Sequence, residues 1–369
     1  MKIKIALISI CILICTALLL FIHSYQSKNS TAYTDNYSVC VAQTSEQRNI
    51  SVLTYYDDNL NQVNQQRIPY GGLGDAYRQG IKYKGKMYFA PSGLFSNDSR
   101  YCLRDSISLD LKTGKITEYR FGEMYWGQRN FTVGGDKMFA NRNFNNISYL
   151  QSIDLSTGKK KEAIYRNVIF SNMTYAGHHV MLTASKMGTD HDSSKLLAIN
   201  PSTLKTDWSV NLPFFMSPDN FFSDENYLYF AEHRDDIEQC WLIKVNLHTH
   251  KCQLFPLNKK VPNITSLHEW NNLLLLSGAD LATEHGKYIV QYDPNSGHLR
   301  YYHFSHNVSL LKVKKDCVYI LDNDLDRLHC WLYKYKIEKA GFRYVCKTDV
   351  YTLKNIKYPY FYVADFFVK

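Results

Sequence analysis

The sequence predicts an all-β protein: a seven-bladed β-propeller of four-stranded antiparallel blades, preceded by one N-terminal signal or membrane helix. Three observations predict it: a turn motif that recurs seven times, an aromatic content of 14%, and one charge-free apolar segment at the N-terminus. A chain of 369 residues is long enough for two domains. All-β folds, however, commonly use such a length for a single domain.

The N-terminal segment 1–22 reads as a signal or anchor helix. Two lysines precede the uncharged apolar run 5–22, whose length is near the lower limit for crossing a bilayer. Basic residues in front of such a run keep the N-terminus cytoplasmic. The polar segment 23–36 has no hydrophobic periodicity and is predicted to be a flexible tether. We therefore expect residues 37–369 to fold outside the cytoplasm, either anchored to the membrane or secreted.

A turn motif of the form Asp-x-x-Thr-Gly recurs along the chain. Its clearest copies begin at Asp110 and Asp154, and the first residues of all seven copies are at positions 57, 110, 154, 200, 246, 293 and 336. The spacings of 53, 44, 46, 46, 47 and 43 residues match the length of propeller blades. Asp bonds to the backbone of its own turn and Gly accepts a positive φ, so the motif is predicted to be a structural hairpin.

The first repeat is incomplete. It begins near Tyr37 with the equivalent of strand two, so its innermost strand has to come from elsewhere. The C-terminal segment 358–369 is an additional, strongly β-forming stretch after the last hairpin. We predict that this segment closes the ring by pairing with the first repeat, because closure removes exposed strand edges.

One repeat carries a family resemblance. The pattern Ala198-x-Asn200-x-x-Thr203-x-Lys205-x-x-Trp208 resembles the repeats of pyrroloquinoline-quinone-like and YVTN-type propellers. The resemblance implies a propeller in which Trp208 docks onto the next blade. Other repeats depart from the pattern, because they have glutamates where Trp208 stands. These departures argue against the tryptophan girdle of the eight-bladed quinone dehydrogenases, and the family also contains propellers that are not enzymes.

Two pairs of cysteines flank hairpins. Cys240 and Cys252 surround one turn, and Cys330 and Cys346 surround another, with each midpoint falling inside the hairpin. An exported chain meets oxidising conditions, so the symmetry predicts the disulfides Cys240–Cys252 and Cys330–Cys346. Buried thiols are the alternative. The remaining cysteines of the ectodomain are expected in the core: Cys40, Cys102 and Cys317.

The loops opposite the hairpin turns are rich in acidic and histidine residues. Asp322-x-Asp324-x-Asp326 has the opening spacing of a calcium loop but lacks its glycine and closing glutamate. His248-x-His250 and His303-x-x-His306 are expected to be solvent-exposed rather than metal ligands. No phosphate loop, nucleophile elbow or zinc-binding helix motif is present, so no cofactor is predicted. The net charge of +9 is dispersed, which argues against nucleic-acid binding.

Two arginines define the predicted ligand site. Alignment of the repeats places Arg78 and Arg129 at the starts of innermost strands, near the central channel. Arginines beside aromatic residues suit a carboxylate, phosphate or sugar, whereas pairing with nearby acids would make them structural. The site is completed by residues expected around the same channel: Asp75, Tyr77, Glu123, Trp126 and Asp219.

The sequence supports two functions. The first is a monomeric, membrane-tethered platform that binds a partner protein or a surface glycan through its loops. The second is an enzyme with a site in the central channel, such as a lactonase, a propeller-type lyase or a quinone-dependent dehydrogenase. A bound metal with converging Asp, Glu and His would favour the enzyme, and a flat aromatic and acidic rim would favour the platform.

Overall fold

The computed structural model describes residues 33–45, 50–74, 79–90, 106–121, 130–144, 146–186, 194–234, 236–280, 283, 285–324, 329–350 and 361–369. The predicted N-terminal helix and most of the predicted tether lie outside these ranges. No helix in the described ranges is long and apolar enough to cross a membrane.

The strands form seven four-stranded antiparallel sheets, which are the blades of a propeller. The first blade contains β1 (Val39–Ser45), β2 (Ser51–Tyr56), β3 (Gln62–Ile68) and, at its inner edge, β28 (Phe361–Val368). The second contains β4 (Ile81–Tyr83), β5 (Lys86–Phe89), β6 (Ser106–Asp110) and β7 (Ile116–Tyr119). The third contains β8 (Asn130–Gly134), β9 (Lys137–Phe144), β10 (Ile147–Asp154) and β11 (Lys160–Arg166).

The remaining blades repeat this arrangement. The fourth contains β12 (Val168–Ala176), β13 (His179–Lys186), β14 (Ser194–Ile199) and β15 (Thr206–Asn211). The fifth contains β16 (Phe221–Ser223), β17 (Tyr227–Arg234), β18 (Gln239–Asn246) and β19 (Cys252–Pro256). The sixth contains β20 (Ile264–Trp270), β21 (Leu273–Gly278), β22 (Tyr288–Tyr292) and β23 (Leu299–His303). The seventh contains β24 (Leu310–Lys314), β25 (Cys317–Asp324), β26 (His329–Glu338) and β27 (Gly341–Asp349).

The C-terminal strand completes the first blade. β28 pairs antiparallel with β1, from Val39 opposite Val368 to Ser45 opposite Phe361. Its other neighbour around the axis is the inner strand β24 of the seventh blade. The two ends of the chain therefore share one sheet, and the first blade has its innermost strand.

Hydrophobic packing lies between the blades. Seven clusters of buried residues occur, one at each boundary between neighbouring blades. The cluster between the seventh and first blades contains Leu332 and Phe366, which are both fully buried. Because every boundary is filled, including the one that joins the ends of the chain, the ring is closed. Each sheet covers one face of the next, which removes apolar surface from water.

The repeated turns are hairpins. The Asp110 carboxylate accepts hydrogen bonds from the backbone nitrogens of Lys112 at 2.9 Å and Thr113 at 2.8 Å. Gly114 and its counterpart Gly158 have φ values of 70° and 69°, the left-handed region that glycine adopts at low cost. The predicted structural role of the motif is confirmed.

The two predicted disulfides are wrong. All described cysteines are free. In the fifth blade the turn closes between Asn246 and Lys251, so Cys252 lies opposite Val245 and not opposite Cys240. Cys240 and Cys252 are equally far from residue 246 in the sequence, whereas the centre of the hairpin lies a few residues later in the chain.

In the seventh blade, too, the two cysteines are offset from each other along the hairpin. Cys346 lies opposite Lys334, while the backbone oxygen of Cys330 accepts from Val350 at 3.0 Å. Cys40 is fully buried as expected, and Cys317 is half-buried. Cys102 lies outside the described ranges.

Candidate functional site

A cavity of about 430 Å³ lies in the central channel. It is bordered by the inner strands and by residues that directly precede them, such as Gln79 before β4 and Asn220 before β16. It therefore lies toward the face that carries the crossovers between blades, which we call the loop face. The opposite face, which carries the repeated turns, is called the hairpin face.

The side chain of Gln79 crosses the channel. Its amide nitrogen donates to the backbone oxygen of Thr265 in the sixth blade at 2.6 Å and to Asn220 Oδ1 at 3.4 Å. Its amide oxygen accepts from the ammonium group of Lys312 in the seventh blade. One residue of the second blade thus links residues of the fifth, sixth and seventh blades across the channel.

A buried ion pair supports this network. Lys312 Nζ lies 3.5 Å from Asp365 Oδ1, and the two side chains are only 12% and 1% exposed. Asp365 Oδ2 also accepts from the backbone nitrogen of Gly80 at 2.8 Å, so the carboxyl joins the seventh, first and second blades. Burial raises the pKa of Asp365, and the charge of Lys312 opposes this shift.

His268 on β20 borders the same cavity. Loss of hydration lowers its pKa to about 3, and the positive charge of Lys312 adds to this shift. The imidazole is therefore neutral at neutral pH and offers one donor and one acceptor rather than a charge.

Amide side chains make up much of the remaining polar wall. Asn172 Nδ2 donates to the Pro218 backbone oxygen at 2.8 Å and to Asp219 Oδ1 at 3.1 Å. Asn220 Nδ2 is buried without a hydrogen-bond partner among the described residues. A buried donor without an acceptor is costly, so this atom marks a position where a ligand or an ordered water would be stabilised.

Asp219 is the predicted site residue that the structure describes, and it lines this cavity. The others lie outside the described ranges: Arg78, Arg129, Asp75, Tyr77, Glu123 and Trp126. Gln79 and Asn130, which directly follow the two arginines in the chain, both line the cavity.

A second pocket of about 610 Å³ lies on the loop face between the sixth and seventh blades. Asp322 and Asp324 occupy one face of β25, and their partners on β26 are Trp331 and His329. His285 Nε2 of the sixth blade approaches Asp324 Oδ1 at 3.4 Å. This pocket gathers the acidic and histidine loop residues that the sequence singled out.

Two of the expected exposed histidines are instead packed. His306 stacks on Tyr333 with ring centroids 3.8 Å apart, and its Nε2 is 2.7 Å from the Tyr335 hydroxyl. Its Nδ1 is 2.7 Å from the Asn307 backbone oxygen, so the ring has partners on both nitrogens. His250 stacks on Trp208 at 4.0 Å.

The calcium-loop spacing does not form a loop in the described part. Asp322 and Asp324 belong to the regular strand β25, and Asp326 lies outside the described ranges. Within those ranges, no group of three or more His, Cys, Asp or Glu residues is arranged to hold a metal ion.

Sequence reasoning missed the central network. Lys312 interrupts the apolar stretch Leu310–Val313, and Asp365 lies between Ala364 and Phe366. A single charge inside a strand that is otherwise apolar is a signal for a buried polar contact, because such a charge is costly without a partner. The partner could not be read from the sequence, since the two residues are far apart in the chain.

Comparisons with known proteins show the fold. No protein-family model matches the chain, and no curated protein matches it by sequence. Among solved structures it is similar to dihydro-heme d1 dehydrogenase NirN in complex with DHE, with 12% identity, a TM-score of 0.54, and coverage of 87% of this chain and 65% of that one. It is similar to oligogalacturonate lyase in complex with manganese, with 12% identity, a TM-score of 0.53, and coverage of 84% and 96%.

A third similar structure is apo AztD from Citrobacter koseri, with 8% identity, a TM-score of 0.52, and coverage of 90% and 98%. Two of the three are named as enzymes, a dehydrogenase and a lyase. At such low identities the similarity establishes a seven-bladed β-propeller and leaves the choice between a binding protein and an enzyme open.

Proposed function

We propose that this protein is a binding platform that holds a neutral saccharide in the channel cavity on its loop face. The observation that carries the proposal is the amide-rich wall of the cavity, in which Asn220 Nδ2 is a buried donor without a partner among the described residues. The volume of about 430 Å³ is in the range of small-molecule sites.

The lining suits sugar hydroxyls. Each asparagine amide offers both donors and an acceptor, and a hydroxyl needs both. Phe131 and Tyr175 also line the cavity and provide apolar faces for the C–H surface of a sugar ring. The combination of amides and rings favours a polar ligand that carries no charge.

The charged side chains around the cavity already have partners in the described part of the chain. Lys312 is paired with Asp365 and donates to Gln79. Lys82 donates to the backbone oxygen of Val368 at 3.1 Å. Asp219 accepts from Asn172. A charged ligand would have to compete with these contacts, whereas a neutral ligand can bind without disrupting them.

A glycan array tests the proposal. We expect the wild-type protein to retain neutral glycans and Asn220→Leu to lose at least about tenfold in affinity, because the variant removes a buried donor without emptying the site. Asn59→Leu, at an exposed position on the hairpin face, is the matched control and should bind normally. Equal glycan binding by wild type and Asn220→Leu, or binding to no glycan, would refute the site.

The buried groups also favour a second candidate function. His268 and Asp365 both have shifted pKa values, and both lie near Lys312 at the cavity. Shifted pKa values beside a cavity are a common feature of active sites. Under this alternative the protein is a propeller enzyme of the lactonase, lyase or quinone-dependent type. Chemical change of a bound glycan, followed by mass spectrometry and abolished in Lys312→Met, would favour the enzyme.

The proposed setting is outside the cytoplasm. The apolar run 5–22 is proposed to tether the propeller to the membrane through the polar segment that follows it. Cell fractionation tests this: the full chain should sediment with membranes, and a chain beginning at residue 33 should not. Recovery of the full chain in the cytoplasmic fraction would contradict the proposal.

The repeat family is also a proposal. Trp208 packs against the turn of the next blade, with its ring 4.0 Å from that of His250 and inclined by 15°. This contact supports the docking role that the resemblance to pyrroloquinoline-quinone-like repeats implies for Trp208.

A further inference from the structure

Two blade boundaries carry the same lysine and tyrosine. In the fifth blade Tyr229 lies directly opposite Lys244, and in the seventh blade Tyr319 lies directly opposite Lys334. Both lysines are almost fully buried, at 7% and 6% exposure. Each belongs to the sequence Cys-Trp-Leu-x-Lys, so the two sites are copies of one repeat position.

Both lysines reach the repeated turn of the next blade. Lys334 Nζ donates to the backbone oxygen of Asp58 at 2.8 Å, and Lys244 Nζ donates to that of Pro294 at 2.8 Å. Asp58 and Pro294 are the second residues of their turns. The shared backbone contact shows that these two positions are equivalent.

At the boundary between the seventh and first blades, a carboxylate completes the site. Asp58 Oδ2 lies 2.9 Å from Lys334 Nζ, and Asp58 Oδ1 accepts from the Tyr319 hydroxyl at 3.3 Å. The hydrogen bond from Lys334 is the main cause of the lowered pKa of Asp58. An ammonium and a tyrosine hydroxyl thus bind one carboxylate.

At the boundary between the fifth and sixth blades, proline replaces that aspartate. Lys244 keeps its contact with the Pro294 backbone and lies 4.0 Å from the centre of the Tyr227 ring. The Tyr292 hydroxyl is buried without a hydrogen-bond partner among the described residues, and the buried Tyr229 hydroxyl lies beside the Asp224 side chain, with no other partner in those residues. Burial raises the pKa of both tyrosines, that of Tyr292 to about 12, so both hydroxyls keep their protons.

A groove adjoins this incomplete site. It encloses about 1000 Å³ on the hairpin face and is lined by Lys244, Tyr229, Tyr292 and Pro294, with the aromatic side chains of Tyr227 and Phe255 beside them. At the equivalent site between the seventh and first blades, Lys334 and Tyr319 bind a carboxylate, that of Asp58. We propose that this groove binds a carboxylate of a small molecule at Lys244 and Tyr229, in the position that the Asp58 carboxylate fills at the other boundary.

The surroundings define the class of ligand. Asp224, Glu225 and Glu269 line the same groove, and the charge of Asp224 contributes to the raised pKa of Tyr229. These acids repel any anion, and the repulsion grows with the charge of the ligand, so among carboxylates a monoanion is repelled least. The aromatic rings and amides of the groove suit a ring with hydroxyl groups. The ligand class is therefore a monocarboxylate with a neutral remainder, such as a single uronic acid. This groove and the channel cavity share Phe222 in their walls but are separate pockets, and the proposal does not depend on the proposed function.

A titration with glucuronate tests the proposal, with glucose as the probe that lacks only the carboxylate. Ligand-observed NMR on the full chain should show glucuronate binding in the wild type that is lost in Pro294→Asp, whereas any glucose binding, such as that proposed for the channel cavity, should be equal in the two proteins. Pro294→Asp supplies an internal carboxylate and should abolish glucuronate binding. Lys244→Met and Tyr229→Phe should each weaken it by about tenfold, because each removes one donor.

Thermal unfolding separates loss of the site from loss of the fold. Pro294→Asp should unfold at a temperature equal to or above that of the wild type, since it fills the site from within the chain. The opposite change is Asp58→Ala, which removes the internal carboxylate and should lower the unfolding temperature. Acetate supplies a carboxylate in its place, so it should raise the unfolding temperature of Asp58→Ala more than that of the wild type. No glucuronate binding by the wild type, or glucuronate binding that survives in a folded Pro294→Asp protein, would overturn the proposal.

Discussion

Buried and half-buried lysines in this protein bind backbone oxygens of a neighbouring blade. Lys137 Nζ donates to Pro201 at 3.0 Å, and Lys244 makes the equivalent type of contact with a turn of the sixth blade. A lysine can remain inside a protein only if its ammonium group is hydrogen-bonded, because an unsatisfied buried charge is strongly destabilising. The aliphatic part of each side chain covers apolar surface at the same time. Single polar residues therefore fix the register of one sheet against the next.

At the scale of single residues, His268 makes the free energy of unfolding depend on pH. Its pKa falls from 6.5 to about 3 on folding, so its stabilising contribution is complete above pH 6.5 and is lost as the pH falls toward 3. His268→Gln should flatten the fall in the free energy of unfolding over this window by up to about 1.4 kcal/mol per pH unit. Urea unfolding at several pH values measures this effect.

The exposed His298→Gln is the control for that experiment, and it should leave the pH profile of the wild type unchanged. If His268→Gln had the same profile as the wild type, the neutral, buried imidazole would be contradicted.

At the scale of the elements, the hairpins show where packing outweighs backbone preference. Leu204 occupies the turn position that is glycine in three other blades, and Leu60 occupies the left-handed position of a turn that is one residue shorter; their φ values are 58° and 62°. Both side chains are buried, at 2% and 1% exposure, in clusters between blades. A left-handed conformation costs leucine about 1–2 kcal/mol. Burial of the side chain contributes more than this, so the turn keeps a residue that its backbone disfavours.

Leu204→Gly tests this balance. The variant relieves the backbone cost but loses packing worth about 2–5 kcal/mol, so it should be destabilised by about 1–3 kcal/mol. Chemical denaturation measures the change. A variant as stable as the wild type or more stable would show that the backbone term dominates.

The closing strand is the element on which the ring depends. Phe366 on β28 is fully buried in the cluster between the seventh and first blades. Phe366→Ala should cost about 3–5 kcal/mol, the usual loss for a buried phenylalanine. A chain that ends at residue 350 should lose cooperative unfolding, and a peptide of residues 361–369 should restore part of it. Full stability of the truncated chain would contradict closure by this strand.

At the scale of the whole molecule, the period of the turns was enough to predict the number of blades, because each blade needs one such hairpin and about the same length of chain. The disulfides were predicted wrongly because pairing depends on which residues close the turn. A difference of a few residues there moves Cys252 away from Cys240 along the ladder. The link between Lys312 and Asp365 could not be predicted, since it forms only when the closing strand comes beside the seventh blade.

The ligand site that the sequence predicts stays a prediction. The expectation that a ligand would bind near the channel rested on Arg78 and Arg129, which lie outside the described ranges. The cavity in the structure is formed by Gln79, Asn172 and Asn220, and Asp219 is the predicted residue that lines it. Asparagines are common in turns and loops, so the sequence held no signal that these amides converge.

The most direct test of the central claim, saccharide binding in the channel, is a crystal structure of the protein soaked with the neutral glycan that binds best on the array. We expect sugar density in the channel cavity, with a hydroxyl oxygen accepting from Asn220 Nδ2 and the Gln79, Lys312 and Asp365 contacts intact. Density for the glycan only on another surface, with the cavity holding water alone, would contradict the account.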